Sequence, residues 1–139
     1  KISASLAENG EVLKSGHVYF APADCHLTLK KIDKKVYIKL DKSEPINFLR
    51  PSVDKMFASA AEVYGQGCLA VLLTGMGSDG TVGCEKIKRA GGFTIGESEE
   101  TCVIYGMPKS ALEAGVIDEM LPLYEIGNRV KEITQRRCK

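Results

Sequence analysis

The feature that most constrains this chain is a continuous apolar run, Leu69–Leu73, that ends in Thr74-Gly75-Met76-Gly77-Ser78-Asp79-Gly80. An apolar run without polar alternation suits a strand covered on both faces, the usual state in a parallel sheet. The glycines that follow permit a tight turn, and a helical pattern starts at Thr81. Strand, turn and helix in that order put Thr74–Gly80 at the carboxyl end of a strand. In open α/β sheets that edge is where ligands and chemistry collect.

The rest of the sequence divides at Pro51. Before it the chain is β-rich. Glu8-Asn9-Gly10 is a turn signal, and Val18–Ala21 reads as a short strand stopped by Pro22. Leu27–Ile32 and Lys35–Leu40 alternate apolar and polar residues around Asp33-Lys34, which predicts a hairpin with one buried face. After Pro51 the period becomes helical. Val53, Met56, Phe57, Ala60, Ala61 and Tyr64 form one stripe, with Pro51 or Ser52 near the start and Gly65 past the end. A second helix is expected over Thr81–Arg89, ended by Gly91-Gly92, then a buried strand at Phe93–Ile95. A short helix over Pro108–Ala114 closes at Gly115, and Val116–Met120 reads as another strand. A last helix, Tyr124–Arg136, has Ile126, Val130 and Ile133 as its buried stripe. Helices and strands that alternate in this way predict a mostly parallel sheet with helices on both faces, joined to the antiparallel hairpin.

Composition narrows the class of function. The chain has 139 residues and a net charge of +1, from 19 basic and 18 acidic side chains. That balance offers nothing to a nucleic acid or an anionic membrane. No apolar run is long enough to span a bilayer, and the N-terminus has no apolar signal region. Five cysteines, Cys25, Cys68, Cys84, Cys102 and Cys138, match no metal-binding spacing, so no metal is expected. Free thiols in a reducing, cytoplasmic setting fit best, with Cys68 a small buried hydrophobe.

The turn itself allows several readings. Gly75, Gly77 and Gly80 satisfy G-x-G-x-x-G, and Glu97 lies 22 residues after Gly75. That is the arrangement of a dinucleotide-binding oxidoreductase, with glycines for the pyrophosphate and an acid for the ribose. Asp79 opposes it, because a carboxylate at a helix N-terminus competes with phosphate for the same donors and repels it. Asp79 as a simple N-cap is the bland alternative. A nucleophile elbow is excluded, since Met76 stands where the first glycine of G-x-S-x-G belongs. Ser78 is then a turn residue, and Ser52 and Ser110, at helix starts, read as caps.

Together these segments resemble the CheB-type protein-glutamate methylesterases of chemotaxis. The likeness rests on Leu72-Leu73-Thr74-Gly75-Met76-Gly77-Ser78-Asp79-Gly80, on Gly16-His17-Val18-Tyr19-Phe20-Ala21-Pro22 with His26-Leu27, and on Arg50-Pro51-Ser52-Val53-Asp54 with Phe57. Gly91-Gly92 and Val103-Ile104-Tyr105-Gly106-Met107-Pro108 with Ala111 follow in the family's order. The resemblance implies a serine esterase with a Ser-His-Asp triad that hydrolyses glutamate methyl esters on the helical region of a chemoreceptor. Some members also deamidate glutamine. It implies no cofactor, and it implies a phosphorylated receiver domain of the same parent protein as a further partner. Asp79 matches the triad aspartate, and Met76 matches a position whose backbone N–H helps to form the oxyanion hole.

The chain also departs from the family. The Gly-Ala-Ser-Thr-Gly-Gly segment that carries the nucleophile and the Gln-His-Met-Pro segment that carries the histidine have no counterpart here. Residues 1–139 therefore read as the back portion of a catalytic domain without its first strands, inactive alone. His26 matches a family histidine distinct from the catalytic one, and it and Arg50-Pro51-Ser52 receive no role. His17 reads as solvated. With no serine or histidine of the triad, a non-catalytic binding module stays open as an alternative.

Overall fold

A computed structural model describes residues 2–137. The sequence positions Lys1, Cys138 and Lys139 lie outside the described residues. The amino-terminal part holds two small sheets. Strand β1 (Ser3–Leu6) pairs in parallel with β2 (His17–Phe20), and β3 (His26–Ile32) pairs antiparallel with β4 (Lys35–Asp41). The β3–β4 register runs from Ile32↔Lys35 to His26↔Asp41, and Asp33 takes φ 54° in the connecting turn. Leu27 and Ile38 point inward and form a core with Ala7, against which Tyr19, Leu29 and Leu40 pack. The expected hairpin is therefore present. Strand β1 was not read from the sequence: Ile2, Ala4 and Leu6 alternate with Ser3 and Ser5, but the run is short and Ser3–Leu6 is exposed throughout.

Helix α1 (Val53–Tyr64) joins the two halves. One side reaches β3, where the Ser59 hydroxyl accepts the Leu29 N–H at 3.0 Å. The other side, through Phe57 and Ala61, enters the main core with Ala70, Leu72, Cys84, Ile87, Ala111 and Val116. An apolar groove of about 260 Å³ remains between the hairpin and this core, lined by Leu13, Tyr19, Leu27, Met56 and Leu69 among others.

The carboxyl-terminal part is a three-stranded parallel sheet of β5 (Leu69–Leu72), β6 (Phe93–Glu97) and β7 (Glu119–Leu121), in that spatial order. Helices α2 (Thr81–Arg89) and α3 (Met107–Glu113) make the crossovers, and α4 (Leu123–Arg137) packs back on β6. Helix α2 fits closely against α1: a Cβ at Gly83 would lie 2.6 Å from the Phe57 Cβ.

Three expectations need correction. Strand β5 is fully buried on one face only, through Ala70 and Leu72, while Leu69 and Val71 are half-buried and Leu73 is exposed. Among the described residues it lies at the sheet edge, with β6 as its partner. Val116–Met120 is a strand only from Glu119 onward. Ahead of it the Thr94 hydroxyl donates to the Val116 carbonyl at 2.8 Å, and Asp118 Oδ2 accepts the Thr94 N–H at 2.8 Å. Side-chain bonds thus dock residues 116–118 where a longer strand would use a ladder. In α4, Ile126 is buried, but Val130 and Ile133 are only half-buried.

Candidate functional site

The turn after β5 lies at the carboxyl edge of the parallel sheet, as the sequence order requires. It is held at its start by Glu97, a fully buried carboxylate at the end of β6. Glu97 Oε2 accepts the Thr74 N–H at 2.8 Å, and Oε1 accepts the Thr101 hydroxyl at 2.9 Å. The Thr74 hydroxyl then donates to the Ile104 carbonyl at 3.1 Å and accepts the Ile104 N–H at 2.9 Å. The Gly75 N–H donates to the Ile104 carbonyl, and the Gly75 carbonyl accepts from Gly106 and Met107. Gly106 must be glycine for this seam to close, because a Cβ there would sit 2.6 Å from the Gly75 oxygen. Thr74, Met76, Gly77 and Ser78 remain exposed on top of this support. Among the described residues the Met76 N–H has no hydrogen-bond partner.

The other end of the turn is fixed by an exchange of carboxylates between α1 and α2. Asp79, just ahead of α2, is buried against the first turn of α1. Its Oδ1 accepts the Ser52 hydroxyl at 2.9 Å and the Asp54 N–H at 3.0 Å, and its Oδ2 accepts the Val53 N–H at 2.8 Å. Asp54 does the converse. Its Oδ1 accepts the Gly80 N–H at 2.9 Å and the Gly83 N–H at 2.7 Å, so a carboxylate from α1 satisfies the orphan donors of α2. Each helix N-terminus, with its positive dipole end, faces the carboxylate of the other element. Gly80, at φ 96° and where a Cβ would lie 2.5 Å from Leu72 Cδ1, permits the sharp entry into α2.

Asp79 is thus not the cap of its own helix. Nor is Ser52 a side-chain cap: it occupies the N-cap position of α1, but its hydroxyl is given to Asp79. Ser110 lies inside α3 and accepts the Thr81 hydroxyl at 3.0 Å.

The histidines are committed elsewhere. His26 is fully buried. Its Nδ1 accepts the Ser52 N–H at 3.3 Å, which leaves the proton on Nε2, within 3.0 Å of the Glu44 carbonyl. Both ring nitrogens are used, and Ser52 stands between His26 and Asp79. His17 is half-buried and pairs with the Ser5 hydroxyl at 2.8 Å, more enclosed than its sequence context suggested. Arg50 is structural as well: it binds Asp24 Oδ1 through Nε and Nη2, and reaches the Lys42 and Ser43 carbonyls through Nη1.

These contacts remove the support for a dinucleotide. Two of the donors at the start of α2, the Gly80 and Gly83 N–H groups, are taken by Asp54, and Glu97 is locked under the turn and cannot meet a ribose. Among the described residues no group of three or more His, Cys, Asp and Glu side chains gathers as a metal site. No helix among them is long and apolar enough to cross a membrane. Sequence reasoning missed Asp54 and Ser52 as parts of the site. Their signal was present in Ser52-Val53-Asp54, two polar side chains at the start of an apolar stripe, but it did not reveal a partner.

The fold and this turn define an α/β domain in which the turn after a parallel strand carries a buried acid, Asp79, at the carboxyl edge of the sheet. Residues 1–130 match the family model for CheB methylesterase. The chain belongs to that family, a family of hydrolases. It is 49% identical over 133 residues to the protein-glutamate methylesterase/protein-glutamine glutaminase of Thermotoga maritima, covering 96% of this chain and 39% of that protein. It is 46% identical to a Methanosarcina mazei protein of the same description, over 95% of this chain and 37% of that one. The chain therefore spans about two-fifths of the length of these relatives. The crystal structure of the Thermotoga maritima CheB methylesterase catalytic domain superposes with a TM-score of 0.90 at 51% identity, covering 91% of this chain and 67% of that one.

Proposed function

We propose that this chain is the acid-bearing portion of a protein-glutamate methylesterase, with Asp79 the orienting acid of a Ser-His-Asp triad. The observation that carries the reading is the acceptor count on Asp79. A carboxylate offers about four acceptor positions. Ser52, Val53 and Asp54 fill three, two on Oδ1 and one on Oδ2, which leaves one on Oδ2. A histidine N–H from another segment fits that vacancy. There the carboxylate fixes the imidazole tautomer and stabilises the imidazolium.

The reaction follows from those parts. A serine attacks the carbonyl of the glutamate methyl ester while the histidine takes its proton. The oxyanion of the tetrahedral intermediate is met by the Met76 N–H, on an exposed turn that the Glu97 and Gly75 contacts hold rigid. Methanol leaves with the proton returned by histidine, and water hydrolyses the acyl-enzyme by the same steps reversed. An amide is cleaved likewise with ammonia as leaving group, in line with the glutaminase named in the relatives. The substrate is the methylated helical region of a chemoreceptor, and a phosphorylated receiver domain of the same protein is the natural regulator. The serine and histidine come from a segment other than residues 1–139. Asp79→Asn in a complete methylesterase carrying this chain is expected to cut kcat by about four orders of magnitude. A variant with near-normal turnover of methylated receptor would sink the reading.

A further inference from the structure

We infer that Ser52 is a positioning residue for Asp79, an inference that rests on the esterase reading above. The hydroxyl of Ser52 is placed to cap its own helix, since Ser is among the best residues for that position. It makes no such bond and donates instead to Asp79 Oδ1 at 2.9 Å. In its place Asp79 accepts the Val53 and Asp54 N–H groups at the start of the helix. What the exchange gains is control of the carboxylate. Two donors converge on Oδ1 and one on Oδ2, so the carboxylate plane cannot rotate without breaking a bond. The remaining lone pair on Oδ2 then has a fixed direction.

Ser52 is itself held from behind. It is 2% exposed, and its N–H donates to Nδ1 of the fully buried His26. The contact from His26 to the Glu44 carbonyl ties that ring to the loop after β4. The buried histidine thus belongs to the support of the acid, and it acts on Asp79 only through Ser52. Both residues are buried, so neither is open to a substrate from solvent.

The hydroxyl is what the inference needs. Removing it breaks one of the two bonds on Oδ1, frees the carboxylate to rotate and leaves the imidazolium less well aligned with its acceptor. An imidazolium stabilised less titrates at lower pH, and the transition state that contains it rises.

The test compares wild type, Ser52→Ala and Ser52→Thr in a complete methylesterase carrying this chain, with ester hydrolysis measured across the neutral pH range. Ser52→Ala is expected to lower kcat about ten-fold, equivalent to about 1.4 kcal/mol on the barrier. KM should stay within about two-fold, because substrate binding is untouched. The acid limb of the kcat/KM profile should move to lower pH, and Ser52→Thr should restore both kcat and the limb. A Ser52→Ala protein that melts earlier yet keeps the wild-type kcat and pH profile would overturn the inference while leaving the esterase reading intact. A wild-type protein without turnover overturns the esterase reading, and this inference with it.

Discussion

Asp79 and Asp54 show how one residue type serves two ends at once. Each carboxylate stabilises a helix N-terminus that is not its own, so the two helices cannot separate without exposing buried donors. Asp54→Ala leaves the Gly80 and Gly83 N–H groups without their acceptor, and an unsatisfied buried donor costs about 1–3 kcal/mol. Urea unfolding of this variant should show a loss of at least about 2 kcal/mol, whereas a neutral result would mean that water replaces the carboxylate. A second residue-scale prediction concerns Cys84. It is fully buried in the main core, and burial, with smaller contributions from Asp54, Asp118 and Cys68, pushes its thiol up to about 12. At mildly alkaline pH iodoacetamide should alkylate Cys25 and Cys102, both partly exposed, well before Cys84. Peptide mass spectrometry reads the order, and early labelling of Cys84 would mean that the α1–α2 core opens. The sequence alone pointed to Cys68 as the buried thiol, yet Cys68 is only half-buried because it precedes an edge strand.

At the scale of elements, the docking of α2 against the β6–β7 connection runs through Asp118. Its side chain meets Lys88 Nζ at 2.6 Å and the Thr94 N–H at 2.8 Å. Burial raises the Asp118 carboxyl, but the Lys88 ammonium and the Thr94 donors outweigh it and hold the group below its ordinary value of 3.8. A carboxyl depressed on folding adds stability that is fully present above the unfolded value and is lost as pH falls through the folded one. Thermal melts of wild type should therefore keep this contribution above about pH 4 and lose it on further acidification. Asp118→Asn should be less stable at neutral pH and show a flatter decline in acid; parallel acid limbs would contradict the assignment. The same contacts explain why the strand here was misplaced from sequence. Val116-Ile117 carries the apolar signal of a strand, but the Thr94 hydroxyl takes the Val116 carbonyl and defers the ladder to Glu119. The helices were easier. Thr81–Arg89 falls where the pattern put it, and α1 spans the full apolar stripe up to Tyr64.

For the whole molecule, the sheet edge and the exposed apolar side chains matter most. Among the described residues strand β5 is paired on one side only, and Leu6, Val18 and Phe20 of the β1–β2 pair face solvent. Catalysis by a triad is a collective property, and a lone orienting acid adds almost nothing. Residues 1–139 by themselves are accordingly expected to show no hydrolysis of methylated receptor; turnover comparable with an intact methylesterase would place the nucleophile and base inside this chain and undo the role of Asp79. The hairpin, the helices, β5 and the turn after it were legible from the sequence, because period, apolar runs and turn residues act over a few neighbouring positions. The likeness to the family was legible for the same reason, since its motifs are short and contiguous. What only the tertiary structure decided is what each polar side chain of the site holds. Asp79 meets donors 25 to 27 residues away, and Glu97 reaches back 23 to Thr74. No local pattern encodes such pairings, because a buried carboxylate takes whichever donors the packing of α1 on α2 brings to it.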